Sequence, residues 1–203
     1  IIEDASEALG SFYKKKHLGT FGDIGVLSFN GNKILTTGAG GAIILKDKRL
    51  YKKAYSLCTI SRKKNNNWTY DYYNLGFNFR MPGLNASIGI SQIKKIKSIL
   101  NKKKKLFYYY KNNFKNENKF KLITPINGKK CNYWLNTIYL EKSTLKLRNK
   151  IIRDLNNKRI AARPVWKLMK KISYLSKYPA MNLKNSNFLE KRLINLPSSP
   201  SLM

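Results

Sequence analysis

Short apolar runs punctuated by glycine dominate the start of the chain. Ile1 and Ile2 read as the tail of a buried strand, closed by the acidic pair Glu3 and Asp4. GVLSF at 25–29 and GAIIL at 41–45 are flanked by glycine, the pattern of strands in a covered sheet. KDKRLYKKAYSL at 46–57 spaces Leu50, Ala54 and Leu57 at helical intervals, with Asp47 placed as its N-cap. NNNWTYDYYN at 65–74 predicts a polar loop, and GFNFRMPG at 76–83 a compact turn-forming segment. From Leu84 onward, Ile88, Ile93, Ile96 and Leu100 predict one helix that runs past a lysine run to about Phe114. TPINGKK at 124–130 is a turn-rich boundary. NYWLNTIYLE at 132–141 then alternates as a strand does, and 144–156 reads as an amphipathic helix ending before RIAARPVW.

The shift near residue 120 divides the chain into 1–119, ending in the long helix, and a small α+β domain over 120–203. With 203 residues, 42% of them hydrophobic, the chain can bury a substantial core and is no disordered basic tail. A net charge of +31 first suggests nucleic acid or an anionic surface. The distribution weakens that reading. KKK at 14–16, KKKK at 102–105 and pairs at 52–53, 63–64 and 129–130 are scattered among abundant Asn, Ile and Tyr, the residues of A+T-rich codons. Biased codon usage is the simpler cause, and nucleic acid is not an expected partner.

Cys58 and Cys131 lack any CxxC or Cys/His pattern, which points to a reducing cytoplasm and away from a disulfide framework or zinc site. A single histidine, His17, argues against a metal cluster or a Ser/His/Asp triad. No run reaches transmembrane length and no signal-peptide pattern is visible, so no membrane is expected as a partner. The chain opens without Met inside a strand tail, which reads as a piece of a longer protein whose N-terminal part is missing.

Taken singly, the polar residues of SFNGNKILTTGAGG at 28–41 are ambiguous. Asp4 at a strand end serves a ligand site or a helix N-cap equally well. Ser28 caps or lines a turn, Lys33 is one lysine among many, and the glycines fit either a hairpin or a close backbone approach to a ligand. Together, an Asp after one strand, a Ser ending a second and a Lys five residues on surround one pocket. That set suits pyridoxal 5'-phosphate. A carboxylate keeps the pyridine nitrogen protonated, a hydroxyl binds the phosphate, and a lysine amine forms a Schiff base and then moves protons.

EDASEALGSFYKKKHLGTFGDIGVLSFNGNKILTTGAGGAIIL resembles the core of the DegT/DnrJ/StrS sugar aminotransferases, fold-type I PLP-dependent transferases of α/β class. GFNFRMPGLNASIGISQI is similar to the same family's downstream segment, and RPVWKLM with EKRLINLPSSPSL to its C-terminal domain, so the likeness covers essentially the whole chain in order. The resemblance implies the C-terminal half of a large, aspartate aminotransferase-like domain over 1–119, followed by a small α+β domain. It implies Asp4 on the pyridinium nitrogen, Glu7 near the ring hydroxyl, Ser28 on the phosphate and Lys33 as the Schiff-base lysine. Asn78 matches an asparagine that reaches the neighbouring subunit's phosphate, which implies a homodimer with shared active sites.

Arg80 either binds substrate or makes an interface ion pair, and Trp166 either lines the acceptor pocket or belongs to the core. Lys170 stands near a position where relatives commonly place His. Ala39 stands where many relatives carry Glu. Relatives with histidine in place of the lysine catalyse dehydration, so Lys33 favours transamination. SFNGNK with RPVWKLM most resembles the branch acting on UDP-linked 4-keto-6-deoxy sugars; a perosamine-type GDP-sugar enzyme is the neighbouring alternative. The implied substrates are that nucleotide-linked keto sugar and an amino-acid donor, glutamate. Two other readings stay open at this point. One is a basic nucleic-acid-binding protein, for which no recognisable signature is present. The other is a PLP-fold protein that has lost catalysis and serves regulation or assembly.

Overall fold

In a computed structural model, the first apolar run becomes β1 (Ile2–Asp4), followed by the short hairpin of β2 (Phe12–Tyr13) and β3 (Lys16–His17). The predicted strands follow as β4 (Ile24–Ser28) and β5 (Gly41–Leu45). The structure describes residues 1–64, 68–126 and 129–203; the NNN of the predicted polar loop and residues 127–128 of the predicted boundary turn lie outside it. The chain divides into two units, Ile1–Leu100 with Ile126–Asn132, and Asn101–Pro125 with Tyr133–Met203.

In the first unit β1 lies parallel to β4, and β4 antiparallel to β5, in the order β1-β4-β5. Leu27, Ile34 and Leu35 are buried beside this sheet. The apolar runs predict covered strands, yet Ile2 and Ile43 remain 72% and 51% exposed among the described residues. His17 has a structural role. Its Nε2 accepts the Gly10 N–H at 2.9 Å, and its ring meets Phe12 edge-on at 5.1 Å. Next, α1 (Lys48–Cys58) starts where predicted, the Asp47 carboxylate accepting the Arg49 N–H at 2.6 Å.

The predicted single helix is instead two, α2 (Gly83–Lys94) and α3 (Ile96–Asn113). At Lys95, with φ −98° and ψ 0°, the N–H reaches back to Gln92 and tightens the turn, which interrupts the regular ladder. From Asn101 onward, α3 groups by contact with the second unit. Leu106 and Phe107 are buried there, and Tyr110 donates to the Pro197 carbonyl at 3.0 Å.

The second unit is built on β6 (Phe120–Leu122), β7 (Asn136–Leu140), α4 (Leu145–Asn157), β8 (Arg163–Pro164), α5 (Lys184–Glu190) and β9 (Leu193–Leu196). Its strands form an antiparallel sheet in the order β6-β7-β9-β8. Thr144 caps α4 by accepting the Leu147 N–H at 3.2 Å. The core gathers Ile138, Leu140, Ala162 and Ile194 against Ile151, Ile152 and Leu155 of α4. That helix packs on β8 and β9, leaving an apolar cavity of about 710 Å³ walled by Phe120, Ile138, Leu140, Leu147, Ile151 and Leu155. Among the described residues, no helix is long and apolar enough to cross a membrane.

One lysine of the KKKK run is internal. Lys103 is 4% exposed and donates to the carbonyls of Trp134 at 3.0 Å and Ser198 at 2.6 Å. Burial lowers its pKa from 10.5 to about 8. Above pH 8 the folded amine is neutral while the unfolded one still holds its proton, so Lys103 adds stability as pH rises from about 8 to 10.5. Relative to Lys103→Met, the wild type should therefore gain roughly 2–3 kcal/mol between pH 7 and pH 10 in urea unfolding. A constant difference would exclude this titration. Truncating the fully buried Ile194 to Ala should cost about 2–5 kcal/mol in the same measurement.

Candidate active site

Strand alternation separates the adjacent acids of β1 and gives them different work. The Glu3 carboxylate accepts the N–H groups of Gly19 at 2.8 Å and Gly22 at 2.6 Å, so it organises the turn that leads into β4. The Gly22 bond first, with Gly19 and Phe21, holds that carboxyl below its usual range. Asp4 instead meets Ser6, whose hydroxyl donates at 2.6 Å and whose N–H donates at 3.1 Å to the same oxygen. These bonds, with the positive charge of Lys33 nearby, lower the Asp4 pKa and favour its ionised form.

Parallel pairing sets Asp4 opposite Val26, so Ser28 lies two residues further along the neighbouring strand, at the same end of the sheet. Ser28 Oγ accepts the Asn30 N–H at 3.4 Å, and the Lys33 N–H returns to the Asn30 carbonyl at 3.1 Å, closing a tight turn. Ile34 and Leu35, 6% and 3% exposed, anchor the chain directly after Lys33. The Lys33 side chain is only 13% exposed, and its amine lies 3.2 Å from the Glu7 carboxylate. The glycine cluster serves the return to β5: Gly38 and Gly40 sit at φ +83° and +100°, conformations that glycine adopts freely. Ala39 lies between them and offers its carbonyl to the Thr37 hydroxyl.

Asp4, Glu7, Ser28 and Lys33 thus gather at one end of the first unit's sheet. Asn78 and Arg80 line a different cavity in that unit, walled also by Arg62 and Lys64. In the second unit Trp166 stacks on Trp134 with ring centroids 5.8 Å apart, and at 58% exposed it is no core residue. The Lys170 amine is spent on its own loop, donating to Ser176 at 2.6 Å and Tyr178 at 2.7 Å.

Sequence reasoning missed several supports. Ser6 was recoverable from the Asp-x-Ser spacing of a side-chain-capped turn. Asn132 gave no local signal, yet it is 4% exposed and donates to the carbonyls of Glu7 at 2.7 Å and Leu9 at 3.0 Å, fixing the Glu7 segment. Asn85 likewise ties α2 to the Thr37 carbonyl at 2.6 Å.

The donor set fits pyridoxal phosphate: an ionised carboxylate, a hydroxyl at a strand end and a shielded amine on one rigid turn. The chain belongs to the DegT/DnrJ/EryC1/StrS aminotransferase family, which it matches over residues 1–203. It is 34% identical over 209 residues to GDP-perosamine synthase of Escherichia coli O157:H7, covering 100% of this chain and 54% of that protein. To the putative pyridoxal phosphate-dependent aminotransferase EpsN of Bacillus subtilis (strain 168) it is 34% identical over 167 residues, 82% of this chain and 42% of that one.

Helicobacter pylori PseC, an aminotransferase involved in the biosynthesis of pseudoaminic acid, superposes with a TM-score of 0.93 at 26% identity, covering 100% of this chain and 55% of that one. The architecture is therefore that of the fold-type I sugar aminotransferases. The chain spans about half the length of the curated relatives it matches.

Replacing Ser6 with Ala removes the larger of the two Asp4 contacts. The Asp4 carboxyl should then titrate at higher pH, read by carbon NMR of the labelled side chain; an unchanged titration would remove Ser6 from this role.

Proposed function

We propose that the protein transfers an amino group from an amino-acid donor, glutamate, to a nucleotide-linked 4-keto-6-deoxy sugar for surface polysaccharide or glycan synthesis, using pyridoxal 5'-phosphate. The observation that carries this reading is the Lys33 amine, shielded and held on a tight turn beside the ionised Asp4 at the open end of β1 and β4. Membership in the aminotransferase family supports it.

When bound, the cofactor supplies an electron sink for the carbon whose amino group is being moved. Asp4 would hold the proton on the ring nitrogen, which strengthens that sink, and Ser28 would donate its hydroxyl to the phosphate. The Lys33 amine would attach the cofactor, then take the proton from the donor carbon and return it on the other side of the exchange. Glu7 would orient the amine between these tasks, its carboxylate already within 3.2 Å. Ile34 and Leu35 keep the base from drifting, since both neighbours are packed. In this reading residues 1–119 are the C-terminal part of the cofactor domain and 120–203 the small domain. Asn78 then reaches the cofactor phosphate of a second copy in a homodimer. Trp166 would meet the acceptor, a role that its exposure supports.

Expression of the full-length protein with pyridoxal phosphate should give a visible absorption band that borohydride bleaches. Lys33→Ala should lose the band and at least about 10²–10⁴-fold in transamination rate, measured with UDP- and GDP-linked 4-keto sugars. A bleachable band that persists in Lys33→Ala would overturn the lysine assignment, and no band in the wild type would overturn the cofactor.

A further inference from the structure

Glu7 meets Lys33 from a segment with no regular secondary structure of its own. Residues 5–11 run as consecutive turns, closed by the Ala8 N–H on the Ala5 carbonyl at 2.9 Å and the Ser11 N–H on the Ala8 carbonyl at 2.8 Å. The Glu7 side chain is 52% exposed, so packing does not set where its carboxylate lies. An ion pair with so exposed a partner gains little beyond the entropy of ordering two long side chains. The contact at 3.2 Å therefore needs the Glu7 backbone to be fixed beforehand.

Asn132 supplies that fixation from 125 positions away. Its amide nitrogen carries two N–H donors, one given to the Glu7 carbonyl at 2.7 Å and one to the Leu9 carbonyl at 3.0 Å. Its backbone N–H donates to the Ser11 hydroxyl at 3.1 Å, so one residue holds the segment at three points. Asn132 is itself pinned, because Lys130 and Phe12 exchange backbone bonds at 2.8 and 3.3 Å two residues earlier. All of these bonds lie in the first unit, with which 126–132 group although the chain on both sides groups with the second. At 4% exposed, Asn132 is screened from the water that would compete for its donors. An ionised aspartate of the same shape would turn acceptors toward both carbonyls, and leucine would leave them unpaired.

We infer that Asn132 is a positioning residue for the amine chemistry: it fixes the backbone of Glu7, and Glu7 in turn holds the Lys33 amine in place between its proton transfers. The inference rests on the transamination reading above and adds to it a residue from far along the chain. Misplacing a reacting group by about 1 Å is enough to cost on the order of 10²-fold in rate. A clamp on the backbone behind Glu7 thus reaches the moving proton without touching it.

The full-length protein tests this through two readouts. Stripped of cofactor, it is trace-labelled with acetic anhydride, and peptide mass spectrometry reads the accessibility of the Lys33 amine. Loaded with pyridoxal phosphate, it gives kcat and KM with UDP- and GDP-linked 4-keto sugars. Asn132→Ala should be acetylated at Lys33 at least about threefold faster than the wild type. It should also lose about 10–10²-fold in kcat, with KM for the sugar within about twofold. In a Glu7→Ala background the same substitution should change neither readout, because Asn132 acts through Glu7. Ile194→Ala, which also lowers stability, should leave Lys33 labelling at the wild-type rate and so separates positioning from general loosening. Asn132→Ser, whose hydroxyl keeps one donor, should fall between the wild type and Asn132→Ala, and it carries the comparison if the alanine variant does not fold. Unchanged Lys33 labelling in the Asn132 variants, or an undiminished effect in the Glu7→Ala background, would overturn the inference. Labelling that obeys the variants in a protein with no visible band and no transamination would uphold the hold of Asn132 on Glu7 and Lys33 and overturn the function proposed above.

Discussion

Parallel pairing of β1 with β4 is the constraint on which the candidate site depends. Parallel strands end on the same side, so a carboxylate closing one and a hydroxyl closing the other meet without any help from sequence proximity. The twelve residues from Phe29 to Gly40 then have to leave β4 and come back antiparallel to it as β5. Phe29 closes this excursion from both sides, donating to Gly40 and accepting from Thr37, each at 2.9 Å. Lys33 sits at the head of that closed loop. Were β4 to slip by one residue, Ser28 and Leu27 would exchange faces and the donor set would come apart.

The chain has 41 basic residues, and environment gives chemically identical lysines different roles. Lys33 is shielded and faces a carboxylate; Lys63 is half-buried and paired; Lys103 is buried against two carbonyls and loses affinity for its proton. Solvation and the nearest oxygen decide each case. Composition therefore says little about partners, while one turn says a good deal.

Much of the fold was legible because local chemistry and tertiary packing agree. Asp47 and Thr144 cap the helices that their spacing announces, and the glycine-flanked runs become β4 and β5. Asp4, Ser28 and Lys33 were readable as a set, since strand ends and a tight turn leave a recognisable order of residue types. Other features have no local signature. β6 and β9 are three and four residues long and acquire their pairing from β7, so no periodicity could mark them. The interruption at Lys95 falls in an unbroken helical pattern. Burial of Lys103 depends on carbonyls 31 and 95 residues away, and the Asn132 bonds to Glu7 and Leu9 span more than a hundred positions.

The tryptophans carry a practical consequence. Trp68 is fully open to solvent, so its surroundings are nearly the same folded or unfolded. Trp134 is buried and lies face to face with Trp166, both within the second unit. Indole emission moves to longer wavelength when the ring meets water, so intrinsic fluorescence will follow the loss of that stacked pair and pass over events near the lysine turn. A melting curve recorded by this signal describes one half of the molecule, and ring-current shifts around Phe12 and His17 would be needed to follow the other.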